Sequence, residues 1–251
     1  RSQQHHWKIF IMIWLSLLLA CVTPQRVERS QTRTVLGAAY LSEGNPSDAI
    51  ATLEEATKLN PRNGDAWEKL ALAYYAKNAT EKAEHAFEKA IRLNPTKAEY
   101  RNNHGLMLLD QGQVDKAIEE FSLALTDLTY RNTALVLNNL GQAYYQNKDY
   151  ETSVKTLTLA VNRAPNLCQA RFNRAFSYQA LNKPELALQD FEEVIELCGD
   201  VAIGAYFHAA EIMLDMQDMV GACNNLRTVI REAGRNTLGR RAESLHNERC
   251  R

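Results

Sequence analysis

The chain has 251 residues, 45% of them hydrophobic and 24% charged, with 11 glycines and 6 prolines. That composition excludes a collagen-like, low-complexity or polytopic membrane protein. The formal charge is −1, from acids and bases interspersed along the chain, which leaves no basic face for nucleic acid. Scarce Gly and Pro beside abundant Ala, Leu, Glu, Asn and Lys favour helix over a sandwich or barrel.

Residues 1–20 differ sharply from the rest of the chain. A polar start carries Arg1 and Lys8 and no acid, and then Ile9 to Ala20 runs apolar, broken only by Ser16. As helix that run reaches ~18 Å, short of a ~30 Å hydrocarbon core. A positive start followed by a short apolar run is the pattern of a secretory signal peptide. His5 and His6 lie in this segment, which gives them no metal role in a mature protein.

The run closes on Leu18-Leu19-Ala20-Cys21. This tetrapeptide resembles the lipobox of bacterial lipoproteins, with a branched apolar residue three before the cysteine and a small one just before it. The resemblance implies that the Cys21 thiol receives a diacylglycerol and that cleavage leaves it as the acylated N-terminus. Each buried CH₂ contributes ~0.8 kcal/mol, so three acyl chains anchor a protein to the lipid bilayer where one holds it only marginally. Val22 stands where an aspartate would resemble the inner-membrane retention signal. The implied place is therefore the outer membrane, lipid-anchored and facing the periplasm, with residues 21–29 as an acylated N-terminal linker.

The remainder repeats itself. Gly37, Ala71, Gly105 and Gly141 are each followed three residues later by Tyr40, Tyr74, Leu108 and Tyr144, and nine further on by Ala49, Ala83, Ala117 and Ser153. Leu53, Phe87, Phe121 and Leu157 come next, then Ala56, Ala90, Ala124 and Ala160. The period is 34 residues, with 36 between the third and fourth copies. A fifth copy carries Ala175, Tyr178, Ala187 and Phe191, and a sixth Ala210, Met213, Ala222 and Leu226. This pattern resembles the tetratricopeptide repeat, and residues 64–97 carry nearly every position of it: Trp67, Leu70, Ala71, Tyr74, Ala83, Phe87, Ala90 and Pro95.

The resemblance implies an all-α superhelical solenoid of about six repeats over residues 30–236, closed by a capping helix and tail at 237–251. Each repeat is then two antiparallel helices that must stack on neighbours to bury an apolar face. Small residues let the axes approach, and Trp67, Tyr74 and Phe87 fill the space between repeats as core.

No motif carries chemistry. The chain has no glycine-rich phosphate loop, no His-Glu-x-x-His, no Gly-x-Ser-x-Gly and no Cys-x-x-Cys. His85, His104, His208 and His246 are scattered over different helices. The expectation is a protein that is no enzyme, with no catalytic residue, cofactor, metal or small-molecule substrate. Four cysteines remain beyond Cys21: Cys168, Cys198, Cys223 and Cys250. In an oxidising compartment an even number suggests disulfides. Three pairings are open, as are four buried thiols; antiparallel helices favour Cys168 with Cys198 and Cys223 with Cys250.

The first helix of each repeat lines a groove. Projecting that face gives Leu72 and Tyr75, then Asn102, Leu106 and Leu109, then Asn138, Gln142 and Tyr145, then Phe172 and Phe176. Amides pair with the backbone of an extended peptide and aromatics supply burial. Tetratricopeptide domains that grip a terminal carboxylate carry Lys and Arg at groove positions held here by Asn102, Asn103, Asn139, Gln169 and Asn173. That clamp is missing, so an acidic C-terminal peptide is a poor ligand.

Further residues narrow the class: Asn102-Asn103-His104-Gly105, Gln111-Gly112, Ala117, Phe121, Ala124, Asp127, Tyr130 and Asn139-Leu140-Gly141. Together they resemble the type IV pilus biogenesis lipoproteins, the pilotins of the outer-membrane secretin. Leu109 and Ala143 depart from that family, many members of which have cysteines there. The resemblance implies a scaffold that binds the secretin and promotes its localisation and multimer assembly, and is needed for pili and pilus-dependent motility. The alternative is a general periplasmic adaptor lipoprotein that recruits cell-wall hydrolases or proteases. On the lipobox reading, Cys21→Ala blocks acylation and leaves the repeats folded. Metabolic labelling with palmitate and membrane fractionation check this, and continued labelling at the outer membrane would exclude Cys21 as the anchor.

Overall fold

The computed structural model describes residues 22–250. Among them are thirteen α-helices, one short 3-10 turn (Gly199–Ala202) and no strand. Six antiparallel pairs succeed one another: α1 (Pro24–Ser42) and α2 (Pro46–Leu59), α3 (Gly64–Ala76) and α4 (Thr80–Leu93), α5 (Ala98–Asp110) and α6 (Val114–Ala124). Then come α7 (Thr133–Gln146) and α8 (Tyr150–Arg163), α9 (Cys168–Ala180) and α10 (Pro184–Cys198), and α11 (Ile203–Asp215) and α12 (Met219–Ala233). A last helix, α13 (Thr237–Arg249), packs on α12. No helix among the described residues is long and apolar enough to cross a membrane.

Local chemistry sets these boundaries. Pro24, Pro46 and Pro184 sit in the first turn of their helices, where an N–H has no partner to lose. Asn63, Asp149, Asp218 and Asn236 accept from a backbone N–H three residues on and cap α3, α8, α12 and α13. The turn inside each repeat needs one left-handed residue. It falls at Gly44, Asn78, Gly112, Lys148, Asn182 and Gln217, with φ between 56° and 73°. Glycine or asparagine fills four of the six, as the conformation favours.

The start of the fold differs from the sequence reading. Residues 24–29, expected as linker, are the opening turns of α1. Thr23 caps that helix, and the Arg26 guanidinium donates to the Lys58 carbonyl at 2.8 Å, tying the segment to α2.

The helices form two compact bodies, one up to Tyr100 and one from Arg101 on. In the first, Ala49, Leu53, Leu70 and Ala73 make a core against which Tyr40, Trp67 and Tyr74 pack. Phe87 is fully buried, but Trp67 and Tyr74 are only half-buried, because each keeps a polar tip in contact with the surface. The Trp67 indole N–H donates to the Pro61 carbonyl at 3.0 Å, and the Tyr74 hydroxyl to Glu54 at 2.7 Å. Burial, then the hydrogen bond to Glu54, pushes the Tyr74 phenol up to about 12.

In the second body, three clusters run along the repeats. Leu157, Ala160 and Ala170 centre the first; Phe191, Ala205 and Ala209 the second; Phe207, Leu226 and Ala242 the third, where Leu238 and Leu245 of α13 close the stack. The same body holds two disulfides, Cys168–Cys198 joining the ends of α9 and α10, and Cys223–Cys250 joining α12 to the end of α13. Their Cα atoms lie 6.6 and 5.8 Å apart.

Burial and backbone geometry together predict three stabilities. Phe191→Ala, at a fully buried ring, costs ~3–5 kcal/mol, while Trp67→Ala costs less. Lys148→Gly relieves a left-handed lysine and stabilises by up to ~1 kcal/mol. Urea unfolding of the three variants measures all of these.

Candidate partner-binding groove

The first helix of each repeat turns one face to its paired second helix and the opposite face away from it. The inward face is set by close approach. A methyl group added at Gly105 would come within 2.7 Å of the Phe121 ring, and one at Gly141 would overlap the Leu157 side chain. Asn102, Asn138 and Phe172 sit three residues before Gly105, Gly141 and Ala175, one turn along the same helices and beside that inward face, at corresponding places on α5, α7 and α9.

There the structure builds a continuous track of side-chain amides within the second body. Asn139 Nδ2 donates to Asn102 Oδ1 at 2.9 Å, bridging α7 to α5. Asn173 Nδ2 donates to Asn138 Oδ1 at 2.9 Å, bridging α9 to α7. Along each helix the chain continues, from Asn138 to Asn139 at 3.3 Å, from Asn102 to Asn103 at 3.3 Å, and from Gln169 to Asn173 at 3.0 Å. Asn138 is 6% exposed and Asn102 9%, so the floor of the groove is polar and largely buried.

Apolar positions flank the track. Leu106 and Gln142 are exposed, Tyr145 is half-buried beside the Tyr150 ring (centroids 5.4 Å apart), and Leu109 is buried at 6%. Phe172 and Phe176 are half-buried and meet edge to face at 5.0 Å. Both abut His208 of α11, at 6.0 and 4.9 Å, and His208 stacks on the buried Phe191 at 5.7 Å. Glu211 orients that imidazole through Nδ1 at 2.9 Å and lies 3.7 Å from Arg241 of α13.

Ion pairs hold the groove helices from behind. Arg174 makes a two-point contact with Asp190 of α10 at 2.6 and 2.8 Å, and Arg171 reaches Glu193 at 2.7 Å. The bond to Asp190 holds the Arg174 guanidinium above its ordinary range. Burial alone would raise the Glu120 carboxyl of α6; the His104 ring 3.5 Å away and the Arg101 guanidinium bonded to it at 2.8 Å outweigh burial and keep it below the usual carboxylate range.

The sequence-derived residues are therefore partly gathered. Asn102, Leu106, Leu109, Asn138, Gln142, Tyr145, Phe172 and Phe176 belong to the second body; Leu72 and Tyr75 are half-buried on α3 of the first. Sequence reasoning noted Asn139, Gln169 and Asn173 only as replacements for basic clamp residues, and it missed His208 and Glu211 as groove neighbours. Asn139 and Asn173 directly follow the assigned Asn138 and Phe172, which was the signal for them; nothing in the sequence marked His208 or Glu211. Cys21 lies outside the described residues. Among those described, no group of three or more His, Cys, Asp or Glu is placed to hold a metal ion.

Comparison with known proteins fixes the class. Family profiles described as tetratricopeptide repeat match residues 34–98 and 80–132, and 134–167 and 169–200, together about two-thirds of the chain. The chain belongs to the tetratricopeptide-repeat family, whose members are generally protein-interaction scaffolds. It is 29% identical over 113 residues to the type IV pilus assembly protein PilF of Pseudomonas aeruginosa, a match spanning 45% of this chain and 45% of that relative's length. A solved structure of Pseudomonas aeruginosa PilF superposes with a TM-score of 0.77 at 20% identity, covering 88% of this chain and 99% of the other. The crystal structure of PilW, described as a widely conserved type IV pilus biogenesis factor, gives 0.78 at 20% identity, covering 84% and 96%. At that identity the two structures show the shared fold.

The amide track predicts a split in stability. Asn138→Ala strands partners at a buried site and costs ~1–3 kcal/mol, whereas Gln142→Ala at an exposed one changes stability by less than ~0.5 kcal/mol. Thermal unfolding of both variants distinguishes them.

Proposed function

We propose that the chain is a lipid-anchored outer-membrane scaffold of the type IV pilus machine. It binds the secretin through the groove of the second body and promotes the secretin's localisation and multimer assembly, and hence pili and pilus-dependent motility. The observation that carries the reading is the buried amide track crossing α5, α7 and α9, because it offers a peptide backbone directional hydrogen bonds without charge. The similarity to PilF and PilW supports the pilus as the setting, and the Leu18-Leu19-Ala20-Cys21 segment supports the anchor and the outer membrane as its place. No turnover is involved: partner and membrane are both bound, one by side chains and one by acyl chains.

Leu106 and Gln142 are the exposed groove positions of α5 and α7, so Leu106→Arg with Gln142→Arg alters the docking face and spares the stack. The double variant keeps its melting temperature within a few degrees and loses detergent-resistant secretin multimers and surface pili. Normal multimers in that variant, together with their loss in Glu151→Arg on α8, would move the docking face to the second helices.

A further inference from the structure

The turn between α6 and α7 is longer than the turn between the next two repeats. It runs eight residues, 125–132, where the turn from α8 to α9 runs four, 164–167. Asp127 folds it, accepting from the Thr129 backbone N–H at 2.9 Å and from the Thr129 hydroxyl at 2.7 Å. Leu128 stands on this turn 97% exposed, more than any other large apolar side chain among the described residues.

Three residues further on, the same turn helps to enclose an open cavity of about 400 Å³. Arg131 and Thr133 line it from the turn and the start of α7, and Arg163 and Leu167 from the end of α8 and the approach to α9. Leu135, 46% exposed, lines it as well. Arg163 Nη1 donates to the Thr133 hydroxyl at 2.8 Å, a neutral acceptor that positions the guanidinium without cancelling its charge.

No acidic side chain lines the cavity. α7 and α9 carry none, and the one on α8, Glu151, lies at the other end of that helix. On α10, Asp190 and Glu193 are engaged by Arg174 and Arg171. Two arginines therefore share one open cavity with apolar walls and no carboxylate.

That combination selects its ligand. Guanidiniums take phosphate in two-point contacts, and the volume falls within the ~300–1,000 Å³ of small-ligand sites. A free inorganic anion would use the arginines and leave Leu128 and Leu135 in water. A phospholipid uses both, with its phosphate on the arginines and its acyl chains over the leucines. Three residues of chain span at most ~11 Å, so Leu128 stays within reach of a lipid whose phosphate lies at Arg131.

We propose that this turn and cavity form a binding site for an anionic phospholipid. Arg131 and Arg163 hold the headgroup phosphate, and Leu128 enters the acyl region. The site lies apart from the groove. It rests on the proposed membrane attachment only for its supply of lipid, which an anchored chain meets at high effective concentration.

The full chain, acylated and reconstituted into vesicles of phosphatidylethanolamine and phosphatidylglycerol, tests it. The phosphatidylglycerol carries a photoreactive acyl chain, and lipid adducts are mapped by peptide mass spectrometry. Adducts are expected on the peptide that holds Leu128. Arg131→Gln with Arg163→Gln lowers them roughly tenfold, through the loss of two charge-assisted contacts, while the chain stays on the vesicles. Leu128→Ser lowers them too, and both variants change exposed side chains that leave the helices folded. Labelled phosphatidylcholine gives fewer adducts, because its choline cation opposes the arginines. An undiminished yield in the double arginine variant overturns the proposal. A chain that stays on the vesicles with no adduct near Leu128 also overturns it and leaves the anchor reading standing. Adducts near Leu128 in a chain that proves to carry no acyl group uphold the site and overturn the anchor instead.

Discussion

The pairing of helices within a repeat depends on a small residue, glycine or alanine, at one position of the first helix. Gly37, Gly105 and Gly141 each sit where a methyl group would collide with Leu53, Phe121 or Leu157 of the paired helix. Burying those large side chains against bare backbone contributes on the order of 1.5–3 kcal/mol each, and it fixes the rotation of the first helix about its axis. Once that rotation is fixed, the residues one turn away along each first helix are aligned from repeat to repeat within the second body. The amide track is a consequence of this alignment: Asn102 and Asn138 lie 36 residues apart, and each meets the next helix at 2.9 Å.

The C-terminal part of the second body is secured differently from its earlier repeats. Two disulfides, Cys168–Cys198 and Cys223–Cys250, tie α9 to α10 and α12 to α13, while α7 and α8 rely on packing around Leu157 and Ala160. Crosslinks of this kind act chiefly by limiting the unfolded chain. The aromatic cluster joins Phe172, Phe176 and Phe191 of the tied pair α9–α10 to His208 of α11, so the apolar end of the groove rests on crosslinked helices.

The repeat was legible in the sequence because its positions are set by sterics that admit few residue types: Gly or Ala at the close approach, Leu or Phe opposite. Helix starts were legible where proline or a capping side chain marks them. Residues 24–29 were read as linker although Thr23 and Pro24 mark a helix start there, because the Arg26–Lys58 and Arg29–Glu55 contacts that tie the segment to α2 appear only in the fold. The half-exposure of Trp67 was equally hidden, because its hydrogen bond to the Pro61 carbonyl depends on a loop conformation. In the groove, residue types were legible and their mutual bonding was not. Asn138 reads as an open contact residue in the sequence and proves to be a buried link between two neighbours.

The face carrying the amide track is, on this account, where the partner sits. A photoreactive amino acid at Gln142, exposed on α7, compared with one at Glu151, exposed on α8, reads that contact directly in cells. The expected result is a secretin crosslink from position 142 and none from 151. A secretin crosslink from 151 with none from 142 would contradict it.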